Sequence, residues 1–98
     1  MEKVVVMISQ PDFTSKHYDQ VWEGLKAAGL EHPKGLISHV GFAKPEGGWM
    51  VVDVWESKEA FNEFSKTLIP IVQKTGVNVP EPMIVPAYYV YEPEGETA

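Results

Sequence analysis

Gly35-Leu36-Ile37-Ser38-His39-Val40-Gly41-Phe42, a turn at Lys44-Pro45-Glu46-Gly47-Gly48, and Trp49-Met50-Val51-Val52-Asp53-Val54-Trp55 form the stretch that decides the fold. Two apolar runs rich in β-branched and aromatic residues, separated by a Pro/Gly turn signal, read as a β-hairpin. Apolar positions match across it when Phe42 faces Met50, Gly41 faces Val51 and Val40 faces Val52. That register sets His39 opposite Asp53, and a slip of one residue would undo it.

Working outward, Val4 to Ile8 is a β-branched run closed by Ser9-Gln10-Pro11-Asp12 and reads as a first strand. Thr14 can cap a helix whose apolar residues Tyr18, Val21, Trp22, Leu25 and Ala28 recur every three or four positions, with Gly29 stopping it and Leu30 placed for a C-cap contact. Beyond the hairpin, Ser57 caps a second helix with Ala60, Phe61, Phe64, Leu68, Ile71 and Val72 on its buried face, a kink expected at Pro70 and a stop at Gly76. A last strand is expected over Met83 to Tyr91, at an edge or with a bulge because of Pro86, followed by a frayed acidic tail from Glu92.

The order strand, helix, strand, strand, helix, strand predicts an α+β, ferredoxin-like βαββαβ fold. It is one antiparallel sheet with both helices on one face, in a single domain over residues 1–98. The hairpin strands are apolar on both sides, with Met50, Val52 and Val54 pointing one way and Trp49, Val51 and Trp55 the other. Leaving the uncovered side in water would forfeit several kcal/mol at about 25 cal/mol per Å². A second copy of the chain is the expected cover, giving a homodimer packed sheet to sheet. The face of Ile37, Val51 and Trp55, carrying His39 and Asp53, is expected to be the one covered by the partner.

Composition narrows the partners. The 98 residues are 44% hydrophobic and 22% charged, with eight lysines, fourteen acids, a net charge of -6, no arginine and no cysteine. The missing arginines and the acidic balance argue against nucleic acid and anionic membrane. The lack of cysteine removes thiolate chemistry and fits a cytoplasmic setting. Met1-Glu2-Lys3 and the short apolar run after it do not make a signal peptide, and no stretch is long enough to span a membrane. No cofactor or metal is expected: Gly47-Gly48 precedes no helix, and no histidine pair has ligand spacing.

Asp53 is the odd residue of its strand, a carboxylate among valines and tryptophans that needs a partner. His39 is that partner, and two roles stay open: a structural pair fixing register, or a catalytic pair. In the second role His39 removes a proton from a phenol or activated carbon held against Trp49 or Trp55, and Asp53 stabilises the charge on the ring. Ile37 and Trp22 are further candidates to line the ligand site, although Trp22 falls on the helix stripe and reads first as core, and Tyr89 or Tyr91 can offer a hydroxyl. His17 and His32 read as solvent residues.

The run from Gly35 to Val40, then Gly48 to Ser57 with Val-Val-Asp-Val-Trp-Glu-Ser, then Ala60-Phe61 and Phe64, resembles small bacterial proteins of the dimeric α/β-barrel superfamily, which includes the antibiotic biosynthesis monooxygenases. The resemblance implies a face-to-face dimer forming an α/β barrel, with a pocket in each subunit between sheet and helices, open to a small apolar or aromatic molecule. The activities it implies range from cofactor-independent oxygenation to haem degradation, lactone isomerisation and simple binding. Haem-degrading relatives place a histidine on the second helix, and residues Ser57 to Gly76 contain none. The oxygenases use arginine and asparagine beside tryptophan and tyrosine, and here there is no arginine and only Asn62 and Asn78. The leading expectation is a homodimer that binds a small apolar or aromatic molecule, with monooxygenase-like chemistry at His39 and Asp53. A non-catalytic binding protein and a lactone or enol isomerase are the alternatives.

Overall fold

The computed structural model describes residues 2–91 and orders them as β1 (Val4–Gln10), α1 (Ser15–Ala27), β2 (Leu36–Ala43), β3 (Trp49–Trp55), α2 (Lys58–Lys74) and β4 (Met83–Pro86). The four strands form one sheet in the order β2-β3-β1-β4 with every neighbouring pair antiparallel, the ferredoxin-like topology expected from the element order. The acidic tail expected from Glu92 lies outside the described residues.

Each helix begins and ends where local chemistry dictates. The Thr14 side chain accepts from the His17 amide at 3.5 Å, and the Thr14 amide donates to His17 Nδ1 at 3.1 Å, a reciprocal cap in which histidine does the work usually given to Glu or Gln. At the other end the Leu30 amide donates to the Leu25 carbonyl at 2.8 Å and the Gly29 amide to Lys26 at 3.0 Å. This Schellman closure needs the left-handed φ of +80° that Gly29 supplies. Ser57 Oγ accepts from the Ala60 amide at 3.1 Å to start α2, and Pro70 sits inside that helix, one turn before its end.

The hairpin has the expected register, with Phe42 opposite Met50, Gly41 opposite Val51, Val40 opposite Val52 and His39 opposite Asp53. Gly47 and Gly48 take φ of +105° and +88° in the turn, and a Cβ on Gly48 would lie 2.9 Å from the Gln10 carbonyl oxygen. One irregularity was invisible in the alternation. Between Leu36 and Ser38 the pairing with β3 shifts, so that Leu36 faces Trp55, Ser38 faces Val54, and Ile37 is the extra residue of a bulge.

The two sides of the sheet are assigned the opposite way from the sequence expectation. Trp49, Val51, Asp53 and Trp55 are buried on the side that carries the helices, packed with Phe13, Val21, Leu25 and Val72 at one end and Val4, Val6 and Phe61 at the other. Trp55 is fully enclosed, with its ring 5.7 Å from Phe61 and 5.0 Å from Phe64. Aromatic rings supply the volume needed to fill the space between sheet and helices, so the larger residues of β3 turn inward. The uncovered side carries Val40, Phe42, Met50, Val52, Val54, Met83 and Val85. It is still apolar, with Val40 56% and Phe42 42% exposed, but it holds no tryptophan.

β4 ends at Pro86 and does not continue to Tyr91. Proline has no amide to extend the ladder, and after one further bond from the Ala87 amide to the Lys3 carbonyl the chain leaves the sheet. Tyr88, Tyr89 and Tyr91 are exposed.

Candidate active site

His39 on β2 and Asp53 on β3 stand side by side because the register places them so, and both point under the helices. Asp53 Oδ1 lies 2.5 Å from His39 Nδ1, while Trp55 Nε1 donates to Asp53 Oδ2 at 3.2 Å. The Asp53 side chain is only 6% exposed, and these two contacts are what make a buried carboxylate tolerable. On the other side of the imidazole, the Tyr18 hydroxyl lies 2.5 Å from His39 Nε2. The result is a linear chain, Trp55–Asp53–His39–Tyr18, running through three elements.

Hydrogen-bond logic orients it. A carboxylate only accepts, so Nδ1 of His39 carries a proton; in the neutral imidazole Nε2 then accepts and Tyr18 donates. The Tyr18 oxygen also accepts from the Trp22 indole and keeps one further lone pair for a molecule beside it. Burial pushes the Tyr18 hydroxyl above its ordinary pKa, with the charges of Asp53 and Asp19 adding in the same direction, so the group holds its proton.

Tyr18 reaches this position because β2 has no side chain in its way. A Cβ on Gly41 would come within 2.8 Å of the Tyr18 ring and 3.0 Å of its hydroxyl. The ring lies nearly parallel to His39, 5.9 Å between centroids and 10° between planes, and rests 5.1 Å from Trp49. Trp22 meets both Tyr18 and His39 edge-on, at 6.4 and 5.3 Å. These contacts hold the hydroxyl against the imidazole.

The chain opens on a cavity of about 240 Å³ enclosed by the sheet, both helices and the segment leading to β4. Its walls are mostly apolar: Ile8, Leu36, Val51 and Trp55 from the sheet, Val21, Trp22 and Leu25 from α1, Phe61, Phe64 and Leu68 from α2, and Val79, Pro80 and Pro82 beyond. Its polar groups are Gln10, Tyr18, His39, Asp53, Asn62 and Ser65. An apolar cavity of about 150 Å³ accepts one benzene, so this one has room for roughly two fused rings.

Of the residues the sequence singled out, His39, Asp53, Trp55 and Trp22 come together here. Three do not. Trp49 is buried behind Tyr18 and does not line the cavity; Ile37 is displaced by the bulge, which gives its inward place to Leu36; Tyr89 is 77% exposed and away from the cavity, because β4 stops short of it. The sequence reading also missed two residues. Tyr18 was absorbed into the helix stripe, although a tyrosine there carries a hydroxyl that must find a partner when buried. Gln10 reads as part of a turn in the sequence, yet it closes β1 and is buried. Among the described residues, no three His, Asp or Glu side chains converge as a metal cage.

No family model and no curated protein matches the chain. Solved structures do. It is similar to a cofactor-independent oxygenase, SnoaB from Streptomyces nogalater, with a TM-score of 0.64 and 14% identity over 92% of this chain and 97% of that one. A monooxygenase from the gene ActVA-Orf6 of Streptomyces coelicolor, in complex with nanaomycin D, superposes with a TM-score of 0.62 and 17% identity over 95% and 93% of the two chains. A protein of unknown function from Nitrosomonas europaea matches with a TM-score of 0.66 and 11% identity over 97% and 98%. At these identities the likeness shows the fold alone, the fold that the hairpin and the Val-Val-Asp-Val-Trp-Glu-Ser run resembled.

Proposed function

We propose that this chain binds a small hydroxylated aromatic molecule in the cavity and oxygenates it without a cofactor, using Tyr18, His39 and Asp53 to move the proton. The observation that carries the reading is the hydrogen-bonded chain from Asp53 to Tyr18 ending on an apolar cavity of about 240 Å³. The oxygenase neighbours support it through fold alone.

The phenol of the substrate donates to Tyr18, whose own proton passes to His39 Nε2, and Asp53 stabilises the imidazolium at Nδ1. The phenolate is electron-rich enough to give one electron to dioxygen, and the two radicals join by a C–O bond at a ring carbon. His39 returns its proton to the peroxide. Loss of the C–H proton from that carbon then breaks the O–O bond, forms the second carbonyl and releases water. The sum is hydroxyarene plus dioxygen to quinone plus water, with one oxygen atom entering the product. The apolar walls keep the charged intermediates from bulk water.

The reading includes a homodimer in the cytoplasm. The uncovered side of the sheet is apolar, which supports a second copy as its cover, and the cysteine-free composition suits that compartment. A second reading is a binding protein without catalysis. It is favoured by the Trp55 contact to Asp53, which gives the carboxylate a structural task as well. An isomerase of lactones or enols would use the same proton chain with no oxygen consumed.

Oxygen uptake with a panel of hydroxynaphthalenes separates these. We expect the native protein to consume oxygen, and Tyr18→Phe and His39→Gln to lose about 100-fold or more in rate. Consumption at the uncatalysed rate by the native protein, together with saturable binding, would overturn the oxygenase reading and leave the binding one.

A further inference from the structure

Among the described residues that line the cavity, Asn62, Ile69 and Val79 alone are exposed, Ile69 to 39% and Val79 to 38%. A side chain that borders a cavity and also meets solvent marks where the cavity opens. Asn62, Ser65 and Ile69 follow one another at three- and four-residue spacing on α2, so they share one flank of that helix, about 10 Å from end to end. Val79, Pro80 and Pro82 line the cavity from the strap that leads to β4. The opening therefore has one lip on α2 and the other on the strap. Both lips are loosely held: Pro70 takes one helical hydrogen bond out of the turn beside Ile69, and Asn78 to Glu81 have no hydrogen bond to any described residue.

We propose that Ile69 and Val79 form the gate of the cavity and admit uncharged molecules in preference to anions. The proposal rests on the cavity being the ligand site. Both gate residues are aliphatic, and the ionisable groups of the lining are Tyr18, His39 and Asp53, with no lysine among the described residues there. Lys66, one turn beyond Asn62, is already paired with Glu63 at 3.1 Å. A carboxylate passing between two aliphatic side chains loses water and gains no partner, and inside it meets the like charge of Asp53. A neutral ring system gains by the same passage, because its apolar surface leaves water. A gate sets the height of the barrier and not the two end states, so its residues change entry and exit together, whereas a wall contact acts mainly on exit.

The test is stopped-flow tryptophan fluorescence in the absence of oxygen, with Trp22 and Trp55 reporting from the cavity wall and 1-naphthol and 5-hydroxy-1-naphthoate as the matched ligands. Native protein is expected to take up the naphthol about tenfold faster than the naphthoate. Ile69→Trp and Val79→Trp place a larger ring at exposed positions, and each should slow both the entry and the exit of 1-naphthol by about tenfold. Ile69→Lys sets a cation on one lip and should narrow the gap between the two ligands. Equal entry of the two ligands into the native protein, entry of 1-naphthol unchanged in either tryptophan variant, slowed entry without slowed exit, or a gap that Ile69→Lys leaves as it was overturns the gate and leaves the cavity reading intact. Absence of a saturable response to 1-naphthol in the native protein overturns both.

Discussion

The two sides of this sheet are both apolar, yet only one of them contains chemistry. Under the helices, Asp53, His39 and Gln10 sit among Val6, Trp49, Val51 and Trp55; on the uncovered side, Val40, Phe42, Met50, Val52, Val54 and Val85 follow one another without a charged residue. The difference is one of enclosure. A carboxylate can be held out of water only where partners arrive from several directions, and the helix side supplies an indole from β3, an imidazole from β2 and a phenol from α1. The uncovered side has neighbours in one plane only, which suits apolar contact and nothing more demanding.

Breaking the enclosed side should cost most. Trp55→Ala removes the most enclosed aromatic ring and a donor to Asp53, and we expect a loss of about 4 kcal/mol in urea unfolding. Asp53→Ala strands both the imidazole and the indole, for an expected loss of about 3 kcal/mol, with oxygen uptake falling alongside. A change of under 0.5 kcal/mol would mean that the chain of hydrogen bonds contributes nothing to the fold. Gly41→Ala drives a methyl into the Tyr18 ring, with an expected loss of about 1–2 kcal/mol and a turnover defect larger than that loss explains, because the hydroxyl is moved off His39.

The uncovered side sharpens the contrast by its indifference. Val40→Lys with Phe42→Lys should shift the particle from dimer to monomer in sedimentation while the ligand affinity of the cavity stays within about twofold. A native protein that sediments as a monomer at micromolar concentration refutes the dimer.

The smallest expected effect is with pH. Burial raises the Tyr18 pKa above its value in the unfolded chain, so its contribution to stability is complete below pH about 10 and disappears as pH rises through the folded value. Melting curves between pH 9 and 11 should fall less steeply for Tyr18→Phe than for the native chain; identical slopes would remove the effect.

The hairpin register was legible in the sequence because apolar residues align across the Lys44–Gly48 turn in one way, and that alignment delivered the His39–Asp53 pair. Which side of the sheet it faced was not legible. Both alternations in β3 are apolar, and the choice is made by ring volume, a property of the space beneath the helices and not of period two. Ile37 was misplaced because a bulge inserts one residue without disturbing the apolar pattern, and Tyr89 because Pro86 ends the strand five residues earlier than the aromatic run suggests. Tyr18 escaped because a tyrosine at helical spacing looks like packing until the hydroxyl is asked where its proton goes.

The Tyr18–His39 contact also has a mechanical side. β2 is an outer strand of the sheet, joined by its backbone to β3 alone, and the phenol–imidazole link is a polar clasp from the helical layer onto it. A guest that drew the phenol toward itself would loosen that clasp, and one that reinforced it would tighten the outer strand, so deuterium uptake along Leu36–Ala43 reports the occupancy of the chamber beneath it.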